Sequence, residues 1–195
     1  MDLLKIKTDT YIKEYSEIEK YIEQSLGGKF PYALSKTKRI ILYAIIKETK
    51  PKIAIETGVG PGVSSTIILS ALPEDSVLYS IDVRNRLEDE NEVGYIIPQK
   101  LRKKWKFFLG ESRRFLPKIL QEVNEVNFFL HDSDHTYENM MFELSTVWNK
   151  LSEGGVILVD NYRFSNATID FVNNRKAIYS ELSDEAGGLL LILKP

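Results

Sequence analysis

Apolar positions along the chain change period once, and the change divides it into two kinds of element. From about Thr8 to Gln24, Tyr11, Tyr15, Ile18, Tyr21 and Ile22 recur at helical spacing, which predicts an amphipathic helix closed by Gly27 and Gly28. A second helix is predicted from its N-cap Ser35 to Thr49, ending ahead of Pro51, whose ring would clash with a continuing turn. Short apolar runs then take over at Ile53 to Glu56, Val77 to Asp82, Trp105 to Leu109, Val126 to Leu130 and Val156 to Asp160, each followed by a helical stretch. Strands apolar throughout belong to a parallel sheet covered on both faces, so the expected fold class is α/β, a doubly wound three-layer sandwich. After a short helix near Ser165 to Asn173, the runs Ala177 to Leu182 and Leu189 to Leu193 are joined only by Ser183 to Gly188. A parallel crossover needs a dozen residues or more, so this pair is predicted to be an antiparallel hairpin.

Composition narrows the partners. The chain has 195 residues, 43% of them hydrophobic, enough for one domain with a real core. We read residues 1–34 as an N-terminal helix or cap and residues 35–195 as the core. Basic and acidic residues number 26 and 28, for a formal charge of -2. That balance offers no bulk attraction to nucleic acid or to an anionic membrane, and points to a small-molecule partner. There is no cysteine, hence no disulfide framework, thiolate nucleophile or zinc-finger spacing. No signal-peptide pattern or membrane-length apolar run is seen, and a cytoplasmic location is expected.

The chemistry gathers where strands are predicted to end. The first strand runs into Glu56-Thr57-Gly58-Val59-Gly60-Pro61-Gly62-Val63-Ser64-Ser65, opening a helix at about Gly62. Glycines permit positive φ and close approach of a ligand, and a helix N-terminus presents free N–H groups. A nicotinamide fingerprint wants G-x-G-x-x-G, whereas here the last position is Val63, so the spacing favours another nucleoside cofactor. Asp82 ends the second strand twenty residues beyond Gly62, where a carboxylate can bind ribose hydroxyls, or else serve as an ordinary strand-end residue. Gly110-Glu111-Ser112 repeats the logic where adenine would lie. Both histidines of the chain fall in His131-Asp132-Ser133-Asp134-His135-Thr136-Tyr137, after the fourth strand. That stretch either carries chemistry or is a helix start capped by Asp134 or Thr136. The fifth strand ends in Asp160-Asn161, and adjacent strands would bring this pair beside Asp132. Asp132, Asp160 and Asn161 would then offer hard oxygen ligands suited to magnesium, calcium or manganese.

These residues resemble the class I S-adenosylmethionine-dependent methyltransferases, specifically the metal-dependent O-methyltransferases of the catechol and caffeoyl-coenzyme A type. The resemblance runs from about Ser35 to the C-terminus, carried by Ile55-Glu56-Thr57-Gly58-Val59-Gly60, Ala71-Leu72-Pro73-Glu74-Asp75, Ser80-Ile81-Asp82 and Leu151 to Asn161. It implies a Rossmann-like seven-stranded sheet with an antiparallel last strand. It also implies that Glu56, Gly58, Gly60 and Ser64 surround the methionine half of the cofactor, that Asp82 binds ribose, that Ser112 lies near adenine, and that Asp132 borders cofactor and metal. Asp132, Asp160 and Asn161 match the family's metal ligands. The stretch from Asp132 to Tyr137 is similar to a bacterial and archaeal branch acting on small molecules and sugars. Where the catechol enzymes carry a lysine as base, three residues after the first ligand, this chain has His135.

The expected reaction is metal-assisted SN2 methylation of a small-molecule hydroxyl, with His135 as general base and Asp134 as its orienting partner or as the base itself. Lys29, Phe30, Pro31 and Tyr32, with Tyr162, Arg163 and Phe164, either frame the acceptor or pack as ordinary loops. The run Lys100 to Lys106 reads as a solvated helix end more readily than as an RNA site. The N-terminal helix either caps the pocket or pairs two copies as a homodimer. A nicotinamide-dependent oxidoreductase, a non-catalytic S-adenosylmethionine-binding module and an RNA methyltransferase remain as alternatives.

Overall fold

A computed structural model describes residues 7–30 and 33–195 of the chain. Strands β1 (Ile53–Thr57), β2 (Val77–Asp82), β3 (Trp105–Leu109), β4 (Val126–His131) and β5 (Leu151–Asp160) run parallel to one another. The hairpin of β6 (Ile178–Ser183) and β7 (Leu189–Leu193) completes the sheet, with β7 inserted antiparallel between β5 and β6. The order across the sheet is β3-β2-β1-β4-β5-β7-β6. Winding reverses between β1 and β4, and such a switch point opens a crevice at the strands' carboxyl ends.

Adjacent side chains on the strands feed two separate cores. Ala54, Phe128 and Leu158 face the layer of α1 (Ile12–Leu26), α2 (Lys36–Thr49) and α3 (Val63–Ala71). Ile55, Phe129 and Ile157 face α4 (Ser112–Glu122), α5 (Tyr137–Trp148) and α6 (Ala167–Arg175). Both faces are therefore covered, which is why β1, β4 and β5 read as continuous apolar runs. The expected doubly wound sandwich and its closing antiparallel hairpin are both present.

Local signals act where the sequence places them. Gly27 ends α1 in the left-handed conformation, at φ 58°. Ser35 caps α2 by accepting from the Lys38 N–H at 3.4 Å. Two departures matter for the site. Between β2 and β3 there is no α-helix: residues 83–98 are irregular and lead into a 3₁₀ turn, Gln99–Lys104. This segment packs on the glycine turn through Gly94 N–H to Gly60 O (2.9 Å) and Ile96 N–H to Pro61 O (3.2 Å). The Tyr21 hydroxyl on α1 in turn donates to Ile96 O at 2.8 Å, so α1 braces this segment from outside. Nor is the basic run wholly solvated, because Lys104 is buried and donates to Leu72 O. No helix among the described residues is long and apolar enough to cross a membrane. Pro31 and Tyr32, expected near the acceptor, lie outside the described residues.

Candidate active site

Loops after β1, β2, β3 and β4 converge on a cavity of about 630 Å³, a size typical of cofactor sites. Its wall includes Gly58, Gly60, Ser64, Asp82, Ser112, Asp132 and Asp134. Helix α3 opens directly from this wall, its N-cap Gly62 held at φ 98°. The turn approaches the opposite loop so closely that a Cβ on Gly58, at φ +83°, would meet Asp132 O at 1.9 Å. Only glycine fits there.

Asp82 is woven into this turn. Its Oδ2 accepts from the Val59 and Gly60 amides at 2.9 and 3.1 Å, and its Oδ1 from Arg84 N–H at 2.9 Å. Carboxylate oxygens each have more than one lone pair, so Asp82 can still accept from a ligand while shaping the loop. Ser112 begins α4 against the same cavity, with its hydroxyl 3.4 Å from Asn139 Oδ1.

Glu56 is placed differently from its expected contact with the cofactor. It is fully buried and absent from the cavity wall, and its carboxyl accepts from Ser64 (2.9 Å), Ser80 (2.6 Å) and Ser65. Burial, only partly offset by the three hydroxyls, raises its pKa from an ordinary 4.5 to about 7. Glu56 thus ties β1, β2 and α3 together beneath the turn.

The loop after β4 divides its polar residues between several tasks. His131 is buried, its Nδ1 2.7 Å from Glu143 Oε2, which also accepts from the Thr57 hydroxyl at 2.6 Å. Ser133 and Asn139 donate to the other oxygen of Glu143 at 2.9 and 3.0 Å. Burial would raise the Glu143 pKa, but the donors from His131, Ser112 and Thr57 prevail and leave it lowered. Asp134 accepts from the Thr136 amide (3.1 Å) and hydroxyl (2.8 Å), shaping the start of α5. It therefore does not hold the His135 ring as expected. His135 stacks edge-on against His131 (5.3 Å) and Phe164 (5.5 Å), hydrogen-bonds the Asp160 backbone carbonyl, and is not part of the cavity wall. Desolvation, then the neighbouring His131, lowers its pKa.

The two strand-end aspartates do meet. The carboxyl groups of Asp132 and Asp160 are in hydrogen-bonding contact, and burial followed by the Asp160 charge raises the Asp132 pKa. The third partner, however, is a side chain that sequence reasoning missed. Lys38 Nζ lies 2.7 Å from Asp160 Oδ1 and donates to Ala186 O at 2.9 Å. Asn161 turns its Oδ1 toward the β6–β7 hairpin, where a Cβ on Gly187 would come within 2.6 Å of it. The expected metal set of Asp132, Asp160 and Asn161 is corrected accordingly: one oxygen is engaged by an ammonium, two carboxyls turn on each other, and the amide faces the hairpin. As arranged, these residues do not fit a divalent ion. Among the described residues no group of three or more His, Cys, Asp or Glu side chains could hold one.

Signals for the missed residues were present. Lys38 precedes Leu42 and Ile45 on the core stripe of α2, and Glu143 falls between Met140 and Val147 on that of α5. A charge on an apolar face is buried or paired, and here each is both.

A parallel sheet whose glycine turn, second-strand aspartate and fourth-strand loop enclose one cavity defines a class: Rossmann-like α/β proteins that take a ligand at the strands' carboxyl ends. Within it, residues 55–162 match the family described as "Methyltransferase domain", and the chain belongs to that family. No curated protein matches its sequence. Among solved structures, an O-methyltransferase from Bacillus cereus in complex with SAH aligns with a TM-score of 0.72 and 14% identity, covering 95% of this chain and 96% of that one. A methyltransferase from Geobacter sulfurreducens gives 0.70 and 15%, covering 91% and 88%. An SAH-bound methyltransferase from Podospora anserina gives 0.67 and 13%, covering 98% of each chain.

Proposed function

We propose that this chain transfers a methyl group from S-adenosylmethionine to the hydroxyl of a small molecule. The observation that carries the reading is the cavity itself: glycine turn, Asp82, Ser112 and Asp132 border one space of about 630 Å³ in a chain of the methyltransferase-domain family. The SAH named for the Bacillus cereus and Podospora anserina proteins supports the choice of donor, and the first of these supports oxygen as acceptor.

S-adenosylmethionine, when bound, supplies a methyl carbon on a positively charged sulfur that an oxygen lone pair can displace. The chain's part is to bind and align. Asp82, already fixed by three backbone amides, would accept the ribose hydroxyls without reorganising. Gly58 lets the glycine turn close against the Asp132 backbone, and Gly60, where no atom lies within 4 Å of a Cβ, leaves open space for the cofactor's amino-acid end. Asp132 is the carboxyl that the wall presents beyond the turn, so an acceptor hydroxyl placed there would donate to it. His135 would act from behind Asp160, by stacking with Phe164 at the rim.

The test is a thermal shift series with S-adenosylmethionine, SAH and NADH on the wild type and on Asp82→Ala. Ligand at about 100 times its Kd adds roughly 2.7 kcal/mol, or about 5–10 °C for a chain of this size. The wild type should show that rise with SAH and none with NADH, and Asp82→Ala should lose most of it. Stabilisation by NADH alone would instead favour an oxidoreductase.

A further inference from the structure

We propose that the Lys38 ammonium occupies the cation position of this site, so that the transferase works without a divalent ion. This rests on the methyltransferase reading and deepens it.

Three placements converge. The Lys38 and Asp160 side chains are only 2% and 5% exposed, and their contact spans 122 residues of sequence. A lysine so enclosed is there because the fold carries it there, from the first turn of α2 to the end of β5. Second, of the three donors on an ammonium, one goes to Asp160 Oδ1 and another to Ala186 O, so the nitrogen is held from two directions. Third, the approach is closed by the β6–β7 hairpin. Glu185 accepts from Ser35 (2.5 Å) and Thr37 (2.9 Å), pinning the hairpin tip to the start of α2, and Gly187 packs against Asn161.

A divalent ion joining this arrangement would share the Asp160 carboxylate with an ammonium only a few ångströms away. The two positive charges would repel strongly at such a distance in a buried site. Either Lys38 leaves or the ion stays out. Lys38 is almost wholly buried and held by two acceptors, so displacing it would cost both contacts. Lys38 is not one of the residues of the cavity wall, so it is a positioning residue. It fixes Asp160, which in turn meets the Asp132 carboxyl at the wall.

The experiment measures Mn²⁺ uptake, by loss of the free-ion paramagnetic resonance signal, and melting temperature with Mn²⁺ or EDTA, all with saturating SAH. The full chain is compared with Asp160→Asn, Lys38→Ala and the double variant Lys38→Ala/Asp160→Asn. The wild type should take up no Mn²⁺ and melt identically with either additive. Lys38→Ala should gain one Mn²⁺ and a rise of roughly 5 °C on saturation, a gain that the double variant loses. A purely structural lysine would not conceal a metal site. Mn²⁺ binding by the wild type that Asp160→Asn abolishes overturns the proposal, and so does a folded Lys38→Ala that binds none. Should Lys38→Ala fail to fold, the wild-type and Asp160→Asn arms still decide. Failure of SAH to stabilise the wild type would instead overturn the methyltransferase reading.

Discussion

Glu56 receives hydroxyls from Ser64, Ser65 and Ser80 and is fully buried. Its pKa of about 7 in the folded chain, against 4.5 ordinarily, means that the fold holds this proton more tightly than the unfolded chain does. The contribution to stability is therefore complete below about pH 4.5 and is lost as the pH rises through about 7, by roughly 3 kcal/mol. Melting curves between pH 4.5 and 7.5 should show the wild type losing several degrees relative to Glu56→Gln, whose amide does not titrate. A flat difference would mean that the serines stabilise the ionised form fully. The glycines of the neighbouring turn are separable at the same scale. Gly58→Ala would set a Cβ 1.9 Å from the Asp132 carbonyl oxygen, whereas at Gly60, φ +52°, no atom lies within 4 Å of one. Gly58→Ala should cost more than about 3 kcal/mol and abolish SAH stabilisation, and Gly60→Ala only about 1–2 kcal/mol of backbone strain, as urea unfolding would measure.

Between elements, the N-terminal helix is held to the core by charge as well as by apolar contact. Arg39 on α2 donates to Glu19 and Glu23 of α1 at 3.0 and 2.7 Å, and to Leu34 O at 2.6 Å. The guanidinium is buried while Glu23 remains partly exposed, so the ion pairs are partly screened. Arg39→Met should cost about 2–3 kcal/mol and open residues 12–26 to limited proteolysis before the sheet unfolds. The elements themselves were mostly legible in the sequence: β2, β3 and β7 have the expected ends, and α2 begins at the expected cap. β5 starts at Leu151 because its first residues pair past a register shift beside β4, and no periodicity signals that. The segment between β2 and β3 read as helical, yet its hydrogen bonds go to the glycine turn and α1 instead. Tertiary partners there override local pattern.

At the scale of the molecule, strand ends dictate where polar loops gather, so Asp82, Ser112 and Asp132 could be placed on one cavity from sequence alone. What could not be read was which charges meet inside it. Asp160 and Asn161 lie at the expected strand end, but the partner of Asp160 comes from a helix more than a hundred residues earlier, and nothing local encodes that contact. A lysine on an apolar stripe was the only trace. The same contact gives the β6–β7 hairpin a role beyond closing the sheet. Its tip clasps the first turn of α2 through Glu185 and Ala186, so the last strands of the chain act as a buckle on the first helix of the core. Any event that lifts the buckle, whether truncation or a bulky residue at position 187, would release a buried ammonium and carboxylate together, and so would be felt beneath the candidate site before it is felt in the sheet.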